Sequence, residues 1–264
     1  MLAEWLIGAT SNINNIPDNT WITVAKIKVI FTEERLPSGS TNSLRITMDN
    51  GYWVGTEEHE VYCEETDTTV SMSSDSSKDF KKEDFSLNED TEYTLVLRIK
   101  YLTGKPVNEK LLQTLVITGP ALTKVTEFGI IPIEHPAFTD MVYYVPAYSK
   151  NLSFITSDGP IGIINMNVTF MECSSLNSSL ANWNVSQVTD FAGCFRECTL
   201  FNNNIIGWNV HSAANMDNMF YNSPSFNQNL SSWYVPLIGS TPTDFSTGAS
   251  AWVLPKPQWG VSPP

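Results

Sequence analysis

The sequence predicts a mainly β protein in two parts, an antiparallel β-sandwich over residues 1–118 followed by a solenoid of 25-residue coils over residues 119–264. Three observations lead to this fold class. An apolar content of 42% is typical of a folded chain. Strand-like runs fill the first part, and apolar residues recur every 25 positions in the second. The charge also changes, because residues 1–118 carry 19 acids and 11 bases whereas residues 119–264 carry 9 and 4.

Runs of β-branched and aromatic residues between turn-rich segments favour strands in the first part. The runs are Trp21 to Phe31, Leu44 to Met48, Glu60 to Glu64, Thr91 to Tyr101 and Leu112 to Thr118. Apolar and polar residues alternate in several of them, as in half-buried strands. Asn50-Gly51 has the composition of a type I′ hairpin turn, and the polar segment from Ser71 to Asp84 is predicted to be a mobile loop.

Apolar columns with a 25-residue period dominate the second part. The columns are Phe170, Phe195, Phe220 and Phe245; Trp183, Trp208 and Trp233; Leu176, Phe201 and Phe226, each followed by asparagine; Leu180, Ile205 and Leu230; and Val185, Val210 and Val235. With one inserted residue, Trp252, Trp259 and Val261 take the places of Phe226, Trp233 and Val235. Ile155 lies 25 residues before Leu180, so partial units are expected at both ends.

One 25-residue unit cannot bury its apolar columns alone, so neighbouring units must stack into a common core. The period falls in the range of leucine-rich-repeat-type solenoids. Apolar spacing over 188–195 and 213–220 suggests a short helix in each unit, and the Trp-x-Val element suggests a short strand. Asparagines at fixed offsets are expected to form ladders that bond the backbone of the next unit.

Two units carry a resemblance to a known family. Phe195 to Val210 reads F-x-x-C-x-x-F-N-x-x-I-x-x-W-N-V, and Phe220 to Val235 reads F-x-x-S-x-x-F-N-x-x-L-x-x-W-x-V. Both resemble the BspA-like leucine-rich repeat surface proteins, and the resemblance covers residues 120–264, with an entry segment at 125–129 and a C-terminal cap at 242–260. The aspartate that usually follows the tryptophan is replaced by Asn184, Asn209 and Tyr234.

Reactive residues in the chain have simpler structural interpretations. Cys173 and Cys198 share one column that continues at Ser223, so stacked core residues are favoured over a metal site with Cys194 or a disulfide between units. The histidines, at 59, 135 and 211, are interpreted as solvated surface residues. The acidic runs 57–60 and 64–67 are interpreted as solvated strand edges rather than calcium sites. Five sequons begin at Asn151, Asn167, Asn177, Asn184 and Asn229, and turn chemistry is favoured over glycosylation.

No catalytic, cofactor-binding or metal-binding residue is predicted, since the acids of the repeat region fall mostly at different phases of the repeat. Candidate surface contacts are Tyr221 and Tyr234, which lie outside the apolar columns, and Asn184 and Asn209. These are the side chains expected to meet a partner.

The family resemblance implies attachment or decoration without enzymatic activity. We expect a virion structural protein, a capsid decoration or a tail or fibre component, that contacts other virion proteins through residues 1–118 and a host-surface protein or glycan through the solenoid. The alternative is a bacterial cell-surface or secreted adhesin, which residues 1–7 favour less because they lack the features of a secretion signal. A net charge of −13 disfavours nucleic-acid binding, no apolar stretch is long enough for membrane insertion, and a homo-oligomer is expected.

Overall fold

A computed structural model describes residues 21–31, 44–49, 57–72, 77–101, 114–128, 143–145, 149–156, 159 and 163–264. It shows a mainly β protein with open sheets and almost no helix, so the coarse fold class is confirmed. The strands are β1 (Trp21–Ile30), β2 (Leu44–Asp49), β3 (Glu57–Cys63), β4 (Thr68–Met72), β5 (Ser77–Phe80), β6 (Glu92–Tyr101), β7 (Thr114–Thr118), β8 (Leu122–Phe128), β9 (Tyr143–Val145), β10 (Phe154–Ile155), β11 (Tyr234–Val235) and β12 (Gln258–Trp259). Within these ranges no helix has the length and apolarity that a membrane crossing requires.

Two sheets form the first part of the molecule. A six-stranded sheet has the order β10-β8-β1-β6-β3-β4, and a four-stranded sheet has the order β5-β2-β7-β9. The five predicted strand runs correspond to β1, β2, β3, β6 and β7, which confirms them. Alternate residues of β1, such as Val24, Ile27 and Val29, are fully buried and belong to a core that both sheets share. The alternation is not strict, because a register shift lies between Thr23 and Ala25.

Two edge pairings run parallel, and both use strands beyond residues 1–118, the range for which antiparallel pairing was predicted. β10 pairs with β8, and β9 pairs with β7, in parallel register. Alternation of apolar and polar residues specifies which face a side chain occupies, but it does not specify strand direction. Long connections join each of these pairs, as parallel pairing requires.

The segment from Ser71 to Asp84, predicted as a loop, contains ordered structure. It holds β5 and the start of a 3₁₀ turn at Lys82–Phe85, the only helical element in the ranges given above. Phe80 and Phe85 are both fully buried, and their rings stack with centroids 5.5 Å apart. These two aromatic residues anchor an otherwise polar segment. The predicted turn at Asn50-Gly51 lies outside the described residues.

Strand pairing continues beyond the predicted boundary at Gly119. That glycine lies in the turn between β7 and β8, and β8 pairs with β1 at the centre of the six-stranded sheet. The segment 125–129, predicted as the entry to the repeats, supplies part of β8. β10 then adds to β8, so the sheet reaches Ile155, close to the first repeat unit. The division at this boundary stays a prediction.

Rows of backbone hydrogen bonds join successive 25-residue units from residue 163 onward. The N–H groups of Gly193, Phe195 and Glu197 donate to the carbonyls of residues 217, 219 and 221 over 2.8 to 2.9 Å. The intervening N–H groups of Cys194 and Arg196 instead donate to carbonyls three residues back. The N–H groups of this segment therefore alternate. One connects to the neighbouring unit, and the next closes a turn within its own unit.

This bonding replaces the short helices predicted over 188–195 and 213–220, which are wrong, because each segment consists of irregular backbone, one isolated bridge residue and a turn. Gly193 and Glu197 have φ values of 60° and 61°, in the left-handed region that an α-helix excludes. Asn218 and Asn222 repeat this conformation one unit later, with φ of 56° and 51°. The strand predicted at each Trp-x-Val element is present in one of the three, at Tyr234–Val235 in β11, and is absent from 183–185 and 208–210.

Aromatic side chains stack along the units as the columns predicted. Phe195 lies between Phe170 and Phe220, with ring centroids 5.4 and 5.5 Å away. Trp208 and Trp233 stack at 6.1 Å with an interplanar angle of 6°. Since full burial of such side chains contributes about 1.5–3 kcal/mol each, the columns are a main source of stability in this region.

The register of the last unit differs from the predicted one. N–H groups of Asn218, Phe220 and Asn222 donate to the carbonyls of residues 243, 245 and 247, one position later than in earlier units. Phe245 therefore takes the position of Met219, and its ring meets Phe220 edge-on at 85°.

Of three further positions predicted for the last unit, one is confirmed and two are corrected. Trp252 contacts Phe226, at 4.8 Å, as predicted. Trp259 lies opposite Val235 rather than in the place of Trp233, and Val261 is 42% exposed instead of joining the buried valine column. Residue counting gives only the spacing along the sequence. It does not show which backbone groups pair, and this pairing is shifted by one residue in the last unit.

Candidate functional site

An exposed column of Asn184, Asn209 and Tyr234, termed the surface column, runs beside the buried tryptophans. Each member directly follows a tryptophan that points into the core. The two asparagines are exposed and the tyrosine is half-buried. Isolated β-bridges connect residues 165, 190 and 215 of successive units, so neighbouring members of a column lie roughly 4.8 Å apart.

Hydrogen bonds from the tryptophans fix the position of the surface column. The indole N–H of Trp208 donates to the carbonyl of Leu180 at 2.9 Å, and that of Trp233 donates to the carbonyl of Ile205 at 3.2 Å. Each ring is therefore tied to the preceding unit as well as packed in the core. The residue after each tryptophan must then face solvent, because successive side chains of extended backbone alternate in direction.

Local turns orient the two asparagines of the surface column. Asn184 Oδ1 accepts hydrogen bonds from the N–H and the hydroxyl of Ser186, at 3.2 and 2.8 Å. Asn209 Oδ1 accepts one from the N–H of His211 at 3.1 Å. Both oxygens are thus occupied, while the Nδ2 groups make no hydrogen bond to the described part of the chain. The surface column therefore offers two amide donors and the phenol of Tyr234 in a row.

Tyr221 is not brought together with the surface column. It shares a different column with Arg196, which precedes it by 25 residues, and the guanidinium lies over the Tyr221 ring with its carbon 5.0 Å from the centroid. Arg196 Nε also donates to Glu197 Oε1 at 3.2 Å. This ring face is already covered by a cation. The 25-residue spacing places the two residues in one column, but it does not determine this side-chain contact.

An asparagine ladder runs along another edge of the units and confirms the predicted role of these residues. Asn177 Oδ1 accepts a hydrogen bond from the N–H of Asn202 at 3.0 Å, and Asn202 Oδ1 accepts one from the N–H of Asn227 at 2.8 Å. Asn227 Oδ1 in turn accepts bonds from the N–H groups of Val253 and Leu254. The side chain of each unit thus bonds the backbone of the next.

The remaining sequon asparagines also make hydrogen bonds within the chain. Asn151 Nδ2 donates to the carbonyl of Pro120 at 2.8 Å, and Asn229 Oδ1 accepts a bond from the N–H of Ser231 at 3.1 Å. Asn167 Nδ2 donates to Asp190 Oδ2 at 3.4 Å. The turn chemistry favoured from the sequence is therefore present at Asn229, whereas Asn151 and Asn167 bond residues 31 and 23 positions away.

The cysteines of the repeat region are core residues with free thiols. Cys173, Cys194 and Cys198 are fully buried, and no disulfide joins them. Cys198 Sγ donates to the carbonyl of Phe170 at 2.9 Å, and Ser223, one unit later, donates its hydroxyl to the carbonyl of Phe195. Burial raises the pKa of all three thiols. In the described ranges, no three His, Cys, Asp or Glu side chains are grouped in a way that could hold a metal ion.

The acidic runs do not lie at strand edges as predicted, and they are solvated only in part. Glu58 is exposed, as are Glu64, Glu65 and Asp67 in the turn between β3 and β4, whereas Glu60 is buried. β3 lies inside the six-stranded sheet, between β6 and β4, and its Glu60 carboxylate is 3.1 Å from Arg98. Glu65 accepts hydrogen bonds from the N–H and the hydroxyl of Thr94. Burial acts to raise the pKa of Glu65, but these bonds and the nearby Lys28 ammonium outweigh it, so the pKa is lowered. The acids balance cations across strands, which composition alone does not show.

The histidines are also placed differently from the prediction. His59 is only 8% exposed and lies in β3, so it is not a solvated surface residue. His211 is half-buried beside the surface column. His135 lies outside the described residues.

Comparison with known proteins gives one family match. Residues 139–252 match the family model described as "Mycoplasma protein of unknown function, DUF285". The matched segment contains the complete units with the Phe, Trp and Asn columns and all four candidate contact residues. No curated protein and no solved structure matches the chain.

Proposed function

We propose that this protein is a non-enzymatic attachment module whose repeat region is a BspA-like, leucine-rich-repeat-type solenoid packed on a β-sandwich. Its proposed setting is the surface of a tailed-phage virion, as a capsid decoration or a tail or fibre component. The sandwich contacts other virion proteins, and the solenoid presents the surface column to a host-surface protein or glycan.

The observation that carries this proposal is the regular division between buried and exposed columns. The side chains of the Phe, Trp and Cys columns are buried and pack between units. In contrast, Asn184, Asn209 and Tyr234 repeat in register on the outside. Amide donors and an aromatic ring at roughly 4.8 Å intervals suit a ligand with repeated acceptors, such as sugar hydroxyls or peptide carbonyls.

Binding by the surface column is tested with the full chain and intact host cells. Replacing Asn184, Asn209 and Tyr234 together by alanine is expected to reduce retention on cells by at least about tenfold, since about 1.4 kcal/mol of lost contact energy has that effect. The matched control replaces Asn182 and Ser232, which are exposed and lie two residues before members of the surface column. Equal retention of the two variants would remove the surface column from the proposal.

The virion setting is tested separately. Mass spectrometry of purified particles is expected to find the protein, and antibodies against residues 163–264 should label intact particles. Absence of the protein from the particles would end the virion proposal.

A bacterial cell-surface or secreted adhesin is the second candidate. It is favoured by one observation, since the matching family model is described from mycoplasmas, which are bacteria. Fractionation of the organism that encodes the protein decides between the settings. Recovery with washed cell envelopes, without particles, supports the adhesin, and recovery with particles supports the virion protein.

A further inference from the structure

The last repeat unit ends in a row of unpaired backbone donors, termed the donor row. It consists of the N–H groups of Asp244, Ser246 and Gly248, which make no hydrogen bond in the described structure. Residues 163–264 are described without a gap, so the neighbours of the donor row within the repeat region are known. Asp244 and Gly248 are exposed and Ser246 is half-buried.

Earlier units show what covers an equivalent row. The N–H groups of Val168, Phe170 and Glu172 donate to carbonyls of residues 192, 194 and 196. The same arrangement joins 193, 195 and 197 to 217, 219 and 221, and then joins 218, 220 and 222 to 243, 245 and 247. In each case the occupant is a polypeptide segment that presents every second carbonyl on one side. The chain itself thus supplies three examples of the complementary partner.

The donor row has a single polarity. The carbonyls of Asp244 and Ser246 already accept turn bonds from the N–H groups of Thr247 and Ala249. The row therefore offers donors and cannot pair with its own copy, which would bring donors against donors. The Lys256 ammonium donates to the Ser246 hydroxyl at 2.5 Å, which adds positive charge at the middle of the row.

A head-to-tail contact between copies of this chain is also disfavoured. The matching carbonyls at the other end of the repeat region belong to Asn167, Thr169 and Met171. Thr169 has no exposed surface, so a second copy cannot reach its carbonyl. Neither the row itself nor the repeat carbonyls of a second copy therefore supplies the complementary acceptors.

Exposed apolar side chains occur just before Lys256, whose ammonium bonds Ser246 of the donor row. Val253 is 83% exposed and Leu254 is 40% exposed. Val253 stands where earlier units have the ladder asparagines, so the asparagine ladder stops at this point. A partner segment is therefore held by the donor row and by apolar contact rather than by a continued ladder.

We propose that the donor row docks a segment of a partner protein whose backbone follows the same turns as residues 217–221. This segment adds three backbone carbonyls to the N–H groups of Asp244, Ser246 and Gly248 and covers Val253 and Leu254. This inference does not rest on the proposed attachment function, because the surface column and the donor row share no residue.

The test uses the ¹⁵N-labelled full chain and a synthetic peptide with the sequence of residues 213–224. That segment covers the equivalent row of an earlier unit through its carbonyls at 217, 219 and 221. The amide signals of Asp244, Ser246 and Gly248 are expected to shift together and to gain protection from hydrogen exchange. In the free chain these amides should exchange faster than those of 218, 220 and 222.

Two controls make the result specific. The same peptide with ester linkages at the three acceptor carbonyls is expected to bind at least about tenfold more weakly, because ester carbonyls are poorer acceptors and each lost bond is worth about 0.5–1.5 kcal/mol. On the protein, Ser246→Pro removes the central donor, whereas Ser250→Pro lies outside the row and should bind normally. Lys256→Ala leaves the backbone unchanged and should also weaken binding. It serves as the test variant if the proline variants do not fold.

The proposal is overturned by any of three outcomes. The row amides remain unshifted at millimolar peptide, or the ester peptide binds as tightly as the amide peptide, or the shifts map to the surface column instead.

Discussion

Individual asparagines in the repeat region contribute differently to the free energy of unfolding, although the sequence alone does not distinguish them. Asn202 Oδ1 accepts hydrogen bonds from the N–H of Asn227 and from Gln228 Nε2, at 2.8 and 2.9 Å. Asn182 is exposed and makes no hydrogen bond to the described residues. Asn202→Ala is therefore expected to lower the free energy of unfolding by about 1 kcal/mol. Asn182→Ala should stay within about 0.5 kcal/mol of the parent in the same urea titration. Equal losses would show that the ladder bonds do not stabilise the fold.

Val168 is a β-branched residue in a conformation that disfavours it. Its φ of 49° matches those of Gly193 and Asn218, at 60° and 56°, in the same column. A left-handed conformation costs a side chain with a Cβ about 1–2 kcal/mol, whereas asparagine tolerates it. Val168→Asn is expected to raise the free energy of unfolding by about 1 kcal/mol, measured by urea unfolding. Val168→Ala, the control, keeps the Cβ and should gain less. A loss of stability in the asparagine variant would contradict this account.

Buried thiols make stability depend on alkaline pH. Burial raises the pKa of Cys173, Cys194 and Cys198 in the folded chain, whereas in the unfolded chain thiols ionise near about 8.5. The stability they contribute is therefore complete below that pH and declines above it, by about 1.4 kcal/mol per pH unit for each thiol. Cys198→Ser keeps a donor to the Phe170 carbonyl, as Ser223 does one unit later, and should reduce this slope by one thiol's share. Unfolding midpoints between pH 7 and 10 check it, and identical slopes would count against buried ionisation.

At the scale of the element, the tryptophan column tests the backbone register. Trp208 donates its indole N–H to the Leu180 carbonyl and stacks on Trp233, whereas Trp259 is half-buried and lies outside the column. Trp208→Phe is expected to cost about 1–3 kcal/mol, because it removes the indole hydrogen bond to the Leu180 carbonyl and part of a buried ring that packs between units. Trp259→Phe should cost less than about 1 kcal/mol in the same chemical unfolding experiment. If the two variants lose equal stability, the corrected register of the last unit is wrong.

The elements also show where sequence reasoning succeeds and where it stops. Apolar columns were predictable because a strict 25-residue period is preserved wherever a unit lacks insertions, from Phe170 to Phe220. The turns at 188–195 were mistaken for helix because closely spaced apolar residues suit both structures. Only the bonds between units distinguish them, and those join residues 24 positions apart. β5 was missed because a mainly polar strand depends on pairing with a distant strand, β2, in which Leu44 lies opposite Phe80.

The candidate site was predictable only in part, for a related reason. Asn184, Asn209 and Tyr234 share a phase of the repeat, so their common exposure follows from the position of the tryptophans. The cover of Tyr221 by Arg196 depends on side-chain conformation, which spacing does not determine. The donor row depends on the shifted register of the last unit and was therefore invisible to residue counting.

At the scale of the whole molecule, the repeat region and the sheets share one hydrophobic core. The cluster of buried residues extends from Val24 in β1 to Trp252 in the last unit. β10 is the joint between them, since it pairs with β8 while the N–H of Ile155 donates to the hydroxyl of Ser178 at 2.8 Å. The six-stranded sheet and the first repeat unit are thus connected by both packing and hydrogen bonds.

This continuity predicts that both parts unfold together. Ile155 is fully buried at the joint, so Ile155→Ala is expected to cost about 2–5 kcal/mol. If the molecule is one cooperative unit, the loss should shift two sets of NMR probes equally during urea unfolding, the indole signals of Trp208 and Trp233 and the backbone amides of β6. Asn182→Ala, at the exposed surface, should shift neither. Separate midpoints for the two sets of probes in the parent chain, or a shift confined to one set, would show that the repeat region folds independently of the sheets despite the shared core.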